Sequence, residues 1–319
     1  MKKDLLIESG YDISSGGRRP ELVGLNNEWG AGLGIEIGEG TLRATTVNIS
    51  MDTLSEAAMD YPKDKNPADY VNGLFEKIVP KPNNSKNSIK KIGISVSESV
   101  KNPEEACLSI KKAAEKSFNI SAITGRETLC RAFAEKILNH EAHGTEKILY
   151  INNDKGEGIL LKDFEYFDAR EKSAGYAYLK PWPPAFSIAE KAKTSVREGV
   201  GTKIVDISGG GADGVSNETI IDAAIAGDEL ATELIATAGL LVGVRIAYLI
   251  NIFEPTLIII GGGIERAGDI FFKPLKKSVQ QFVADKMTDK IKIIPQAAGI
   301  FACSKGAGFL AIREIFLEA

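Results

Sequence analysis

The chain has 319 residues, 44% hydrophobic and 26% charged, with a net charge of −4 at neutral pH. That composition fits a globular protein of about two domains and excludes a chain that grips nucleic acid through overall basicity, because phosphate binding needs clustered Lys and Arg. The longest apolar run, around Leu257–Ile260, falls far short of the ~20 residues a bilayer span needs, so no membrane association is expected.

From the N-terminus, Asp4 and Glu8 interrupt the apolar residues after the first two lysines. No signal or transit peptide fits, and a cytoplasmic location is expected. Leu5–Ile7 and Leu22–Val23 flank the turn-rich Ser14–Pro20, which predicts a β-hairpin with Arg18 and Arg19 at its tip. Composition alone favours a solvated surface hairpin there. Gly32–Val47 then reads as strand, glycine turn, strand, with Leu33, Ile35 and Ile37 in alternation and Gly38 and Gly40 at the turn.

A helix over Pro67–Ile78, a strand over Lys91–Val96 and a helix over Pro103–Phe118 follow, the alternation of α/β layers. A second glycine hairpin spans Ile148–Leu161, with Gly156 and Gly158 in its turn region, so the chain looks internally duplicated. Asp228–Phe253 predicts a long buried helix, with Gly239, Gly243 and Ala247 permitting close approach. Pro255 stops it, and the strand Thr256–Ile260 runs into Gly261, Gly262 and Gly263 before a helix starting near Asp269. That order suits an anion-cradling loop, although a glycine run also merely relieves a tight turn. Cys107, Cys130 and Cys303 lack CxxC spacing and the histidines are His140 and His143, so no zinc site is expected.

Ile221–Asp228, the long helix with Asn251, and Leu257–Gly263 resemble the signature region of the ROK family of repressors, open reading frames and sugar kinases, and the resemblance extends over nearly the whole chain. It implies an α/β fold of two actin-like, hexokinase-like lobes, each ribonuclease-H-like, facing a cleft. On that plan residues 1–30 form a wing-like hairpin and linker, 31–120 a small lobe and 121–303 a large lobe, with a final helix in 304–319 returning to the small one. In kinase members the two glycine hairpins and the triple glycine hold the nucleotide, and an Asp acts as general base. The matching positions here are Gly38, Gly40, Gly156, Gly158 and Gly261–Gly263, with Glu127 at the base.

Five departures from the kinase pattern stand out. Gly125-Arg126-Glu127 replaces Glu-Asn-Asp, and the extra methylene of Glu127 moves its carboxylate from the reaction geometry. Glu36 stands where an Asp is usual. Asn153 replaces the usual Thr of the second hairpin. Gly175–Leu179 lacks the sugar-binding Glu and zinc-binding His, and Lys180–Pro184 replaces the cysteine-rich zinc loop. The segment Glu98–Lys101 shortens the sugar floor.

The resemblance therefore points to the repressor branch. The chain reads as a noncatalytic effector-binding and dimerisation module of a transcriptional regulator of carbohydrate metabolism. Its ligand would be a sugar or sugar derivative facing Arg126, Glu127 and Tyr176. Ser15–Pro20 looks like the wing of the family's winged helix, with Arg18 and Arg19 toward DNA; operator binding would need helices supplied to the chain or preceding Met1. A homo-oligomer is implied, with no resident cofactor or metal. The alternatives are a residual sugar kinase, which would use ATP and magnesium, and an interaction scaffold.

Overall fold

The computed structural model describes residues 5–11, 21–78, 88–97, 99–163, 165–168, 179, 187–284 and 290–318. Arg18, Arg19, Tyr176, Glu98 and Lys180–Pro184 lie outside these. The chain divides into two compact units, Met1–Leu138 with Ala298–Ala319, and Asn139–Ala297.

The first unit opens with an antiparallel ribbon, β1 (Leu6–Tyr11) and β2 (Glu21–Leu25), whose Leu6, Ile7, Leu22 and Val23 are exposed. Its sheet contains β3 (Ala31–Gly38), β4 (Thr41–Asn48), β5 (Thr53–Asp60), β6 (Ile89–Val96) and β7 (Ala122–Arg126), in the order β5-β4-β3-β6-β7. The first three strands form an antiparallel meander, while β6 runs parallel to β3 and β7 parallel to β6. Alternation sends Leu33, Ile35 and Ile37 of β3 to one face, where they pack with Val71, Leu74 and Ile78 of α1 (Val71–Ile78) and with Ile110 of α2 (Pro103–Phe118). Each such fully buried aliphatic side chain contributes about 1.5–3 kcal/mol.

The other face of the sheet carries small residues because two helices lie directly on it: α3 (Glu127–Leu138) and the final helix, here α9 (Ala302–Leu317). A Cβ on Gly34 would come within 1.8 Å of the Ser304 carbonyl oxygen, and one on Gly306 within 1.7 Å of that of Cys130. Backbone meets backbone at these two points.

Two expected boundaries are corrected. The unit break falls after Leu138 rather than Ile120, because β7 completes the first sheet through parallel pairing with β6 and α3 packs with α9. The final helix starts at Ala302, ahead of the expected 304–319, and its segment joins the first unit from Ala298.

The second unit repeats the plan. Its strands β8 (Lys147–Asn152), β9 (Glu157–Lys162), β10 (Glu165–Phe167), β11 (Leu257–Gly261) and β12 (Lys292–Pro295) are ordered β10-β9-β8-β11-β12, again three antiparallel strands followed by two parallel ones. Around this sheet lie α4 (Ile188–Arg197), α5 (Lys203–Ile207), α6 (Asn217–Ile225), α7 (Glu229–Phe253) and α8 (Asp269–Phe282).

Asp228 caps α7, accepting from the Ala231 amide at 2.8 Å and from the Lys203 amide at 2.7 Å, which also ties down the start of α5. By length and apolar composition alone, α7 could cross a membrane. The expectation based on the short Leu257–Ile260 run passed over this helix. Here its inner face, including Ile235, Val242, Ile246 and Ile250, lines the core of the second unit.

Candidate functional site

In the first unit a charged cluster forms at the ends of the central strands. Register aligns Glu36 with Ser95 and Ser95 with Gly125, one row across β3, β6 and β7 on the face covered by α3 and α9. The Glu36 carboxylate receives Arg43 Nη1 at 3.4 Å and lies 3.7 Å from Arg131 Nη2. Arg131 Nε donates to Glu127 Oε1 at 3.1 Å, one turn back along α3. The second oxygens of both glutamates and the Ser95 hydroxyl are buried without a hydrogen-bond partner among the described residues.

Burial pushes the Glu36 carboxyl above the ordinary range; Arg131 and Arg43 oppose the rise, Glu127 adds to it, and the Ser304 backbone amide works against it. Arg126 does not join this cluster by register. It pairs with Val96, in the row of Ile37, so alternation directs it to the opposite sheet face from Glu36. Glu127 follows as the first residue of α3, where the chain turns from strand to helix.

Gly38 and Gly40 bracket the β3–β4 turn, whose carbonyl oxygens are held by one residue. Tyr61 donates its hydroxyl to Gly38 at 2.7 Å and its amide to Gly40 at 2.9 Å. Sequence reasoning missed Tyr61 and Arg131; the signal for Arg131 was its i+4 spacing from Glu127.

In the second unit the β8–β9 turn meets the glycine run after β11. The Asn153 amide donates to the Gly261 carbonyl oxygen at 2.8 Å, and the Lys155 amide to Asn152 Oδ1 at 3.3 Å. Gly262, at φ +92°, is pressed so closely on this turn that a Cβ would lie 2.6 Å from both Asn152 Oδ1 and the Asp154 nitrogen. Gly156 and Gly158 sit in and just after the turn, and Gly263 opens the short 3-10 segment Ile264–Ala267. Asn217 at the start of α6 donates to Asp154 at 3.0 Å, and Arg266 pairs with Asp222 at 2.5 Å and Glu218 at 3.6 Å. Among the described residues no three His, Cys, Asp or Glu side chains gather where they could hold a metal ion. His140 and His143 stack edge to face, ring centroids 5.4 Å apart.

Two five-stranded sheets of identical order, each opening in a turn-bearing hairpin, define the duplicated actin-like, hexokinase-like fold. The solved structure of a ROK family transcriptional regulator, described as a homologue of the Escherichia coli Mlc protein, shares this fold with a TM-score of 0.68 and 18% identity over 98% of this chain and 85% of its own. A ROK family glucokinase from Streptomyces griseus, in complex with glucose and AMPPNP, has a TM-score of 0.63 at 17% identity over 89% of this chain and all of its own. In sequence, the xylose repressor of Caldicellulosiruptor bescii is 24% identical over 92% of this chain and 81% of its length. The ROK family model matches residues 197–314.

Proposed function

We propose that the chain is a noncatalytic effector-binding and dimerisation module of a ROK-type transcriptional regulator of carbohydrate metabolism, working in the cytoplasm. The observation behind this reading is that groups a kinase would direct at its substrates already have internal partners. Glu127, at the base position, is paired with Arg131, and the Asn153 and Lys155 amides of the second hairpin donate to Gly261 and Asn152. The residues present therefore do not fit ATP with magnesium as they would in a phosphoryl-transfer site, where positioning and charge stabilisation provide nearly all the catalysis.

The ligand is a sugar or sugar derivative. Similarity to a protein named a xylose repressor puts xylose first among those to test, with Arg126, Glu127 and Tyr176 as candidate contacts. DNA contact through Arg18 and Arg19 would require a winged helix-turn-helix alongside this module, since a lone wing makes too few phosphate contacts.

The competing reading is a residual sugar kinase, favoured by Glu127 Oε2, which has no hydrogen-bond partner among the described residues and can accept a proton. A coupled assay with ATP, magnesium and a panel of pentoses and hexoses separates the two. The proposed module gives no sugar-dependent ADP release. Turnover that Glu127→Gln abolishes would establish the kinase.

A further inference from the structure

We infer that Glu36 and Ser95, together with Glu127, form a ligand subsite that receives uncharged hydroxyl groups of the effector. It rests on the effector-binding role proposed above and adds two contacts to Glu127. Ser95 is fully buried and Glu36 is 4% exposed. Strand register puts both in one row, on the sheet face that α3 and α9 cover. From α3, Arg131 donates to Glu127 Oε1 at 3.1 Å and lies 3.7 Å from Glu36 Oε1, and Arg43 of β4 reaches the same Glu36 oxygen at 3.4 Å. Each carboxylate is thus held by its first oxygen. The second oxygen of each, and the Ser95 hydroxyl, are buried with no hydrogen-bond partner among the described residues. Two acceptors and a hydroxyl in that state within one cluster are costly, and a group that supplies donors to them recovers the loss. Glu127, Arg131 and Arg43 keep between 16% and 25% of their side-chain surface exposed, so the cluster opens to solvent along them.

Charge decides what kind of group fits. Arg43 and Arg131 already balance the two carboxylates, so a cation gains little from net charge. A phosphate or carboxylate would have to approach two carboxylate oxygens, and both arginines beside them are engaged. Burial holds the Glu36 carboxyl above its ordinary range, as expected of a carboxylate short of donors. Hydroxyl groups meet every requirement: each donates to a carboxylate oxygen, each can accept from Ser95, and neither brings a charge to be desolvated. A site built this way discriminates sharply, because an analogue lacking the hydroxyl leaves the buried oxygen unpaired again.

The test is titration calorimetry of the full chain with D-xylose, D-glucose, their monodeoxy analogues and D-glucose 6-phosphate, on the wild type, Glu36→Gln and Ser95→Ala. The expected result is a neutral sugar that binds the wild type and loses at least tenfold in affinity when one particular hydroxyl is removed. Each variant weakens the parent sugar at least tenfold, yet binds parent and deoxy analogue within twofold of each other, a coupling that a merely structural role would not produce. Ser95→Ala, which deletes one buried oxygen without adding bulk, carries the test alone if Glu36→Gln does not fold. Variants that bind like the wild type assign the three atoms to buried water and overturn the subsite, as does a deoxy loss that persists in full in both variants. Binding of D-glucose 6-phosphate with no neutral sugar bound overturns the subsite and leaves the effector reading standing. No binding by any of these sugars overturns both.

Discussion

Glu36 is buried to 4% of its free surface with one carboxylate oxygen unpartnered among the described residues, an arrangement that burial alone disfavours for the ionised form. Arg131 and Arg43 offset that cost without removing it, and the folded-state pKa lies above its ordinary value of 4.5. The linkage follows from that direction: below the ordinary value the stabilising protonation difference is fully present, and it is lost as pH rises through the folded value. Relative to Glu36→Gln, the wild-type chain should therefore lose stability as pH rises from about 4 through the raised value of Glu36. Urea melts of both proteins across that range check this, and a difference that stays flat with pH contradicts it. The site residues were partly legible in the sequence. Glu36 and Glu127 could be picked out as substitutions, but their shared partner Arg131 is visible only once β3 and the first turn of α3 are brought together. The grouping of Arg126 with Glu127 followed from adjacency in sequence, whereas the chain changes from strand to helix between them.

At the level of elements, the glycine hairpins and the helix Pro103–Phe118 follow directly from local pattern, since alternation, turn glycines and a proline at the helix start are short-range signals. The unit boundary does not. The strand Ala122–Arg126 reads the same whichever sheet it joins, and only pairing with β6 assigns it. The earlier start of α9 has a similar cause: Ala302–Lys305 has a weak local pattern, but Ser304 is locked in place by a 2.8 Å hydrogen bond to Thr45. Close packing of α9 makes its glycines unforgiving. Gly306→Ala should cost about 1–3 kcal/mol or more, since the new methyl meets backbone that cannot rotate aside. Gly201→Ala, where a Cβ meets nothing within 4 Å, should stay within about 0.5 kcal/mol of wild type. Equal effects in denaturant melts would mean that α9 sits farther from α3.

Across the whole molecule, the duplication read from two hairpins extends to complete sheets of matching strand order, a scaffold shared with a transcriptional regulator and a glucokinase. Fold does not choose between those roles; the chemistry of the sites does. The Glu127 side chain and the hairpin amides at the kinase positions are bonded to Arg131, Gly261 and Asn152, which supports the proposed reading of ligand binding without phosphoryl transfer. The most direct measurement is thermal stability of the chain with a panel of neutral sugars, sugar phosphates and amino sugars, and separately with ATP and magnesium. One sugar class at a hundred times its dissociation constant should add about 2.7 kcal/mol, with no shift from ATP and magnesium. Stabilisation by ATP and magnesium would contradict the account, as would silence throughout the sugar panel.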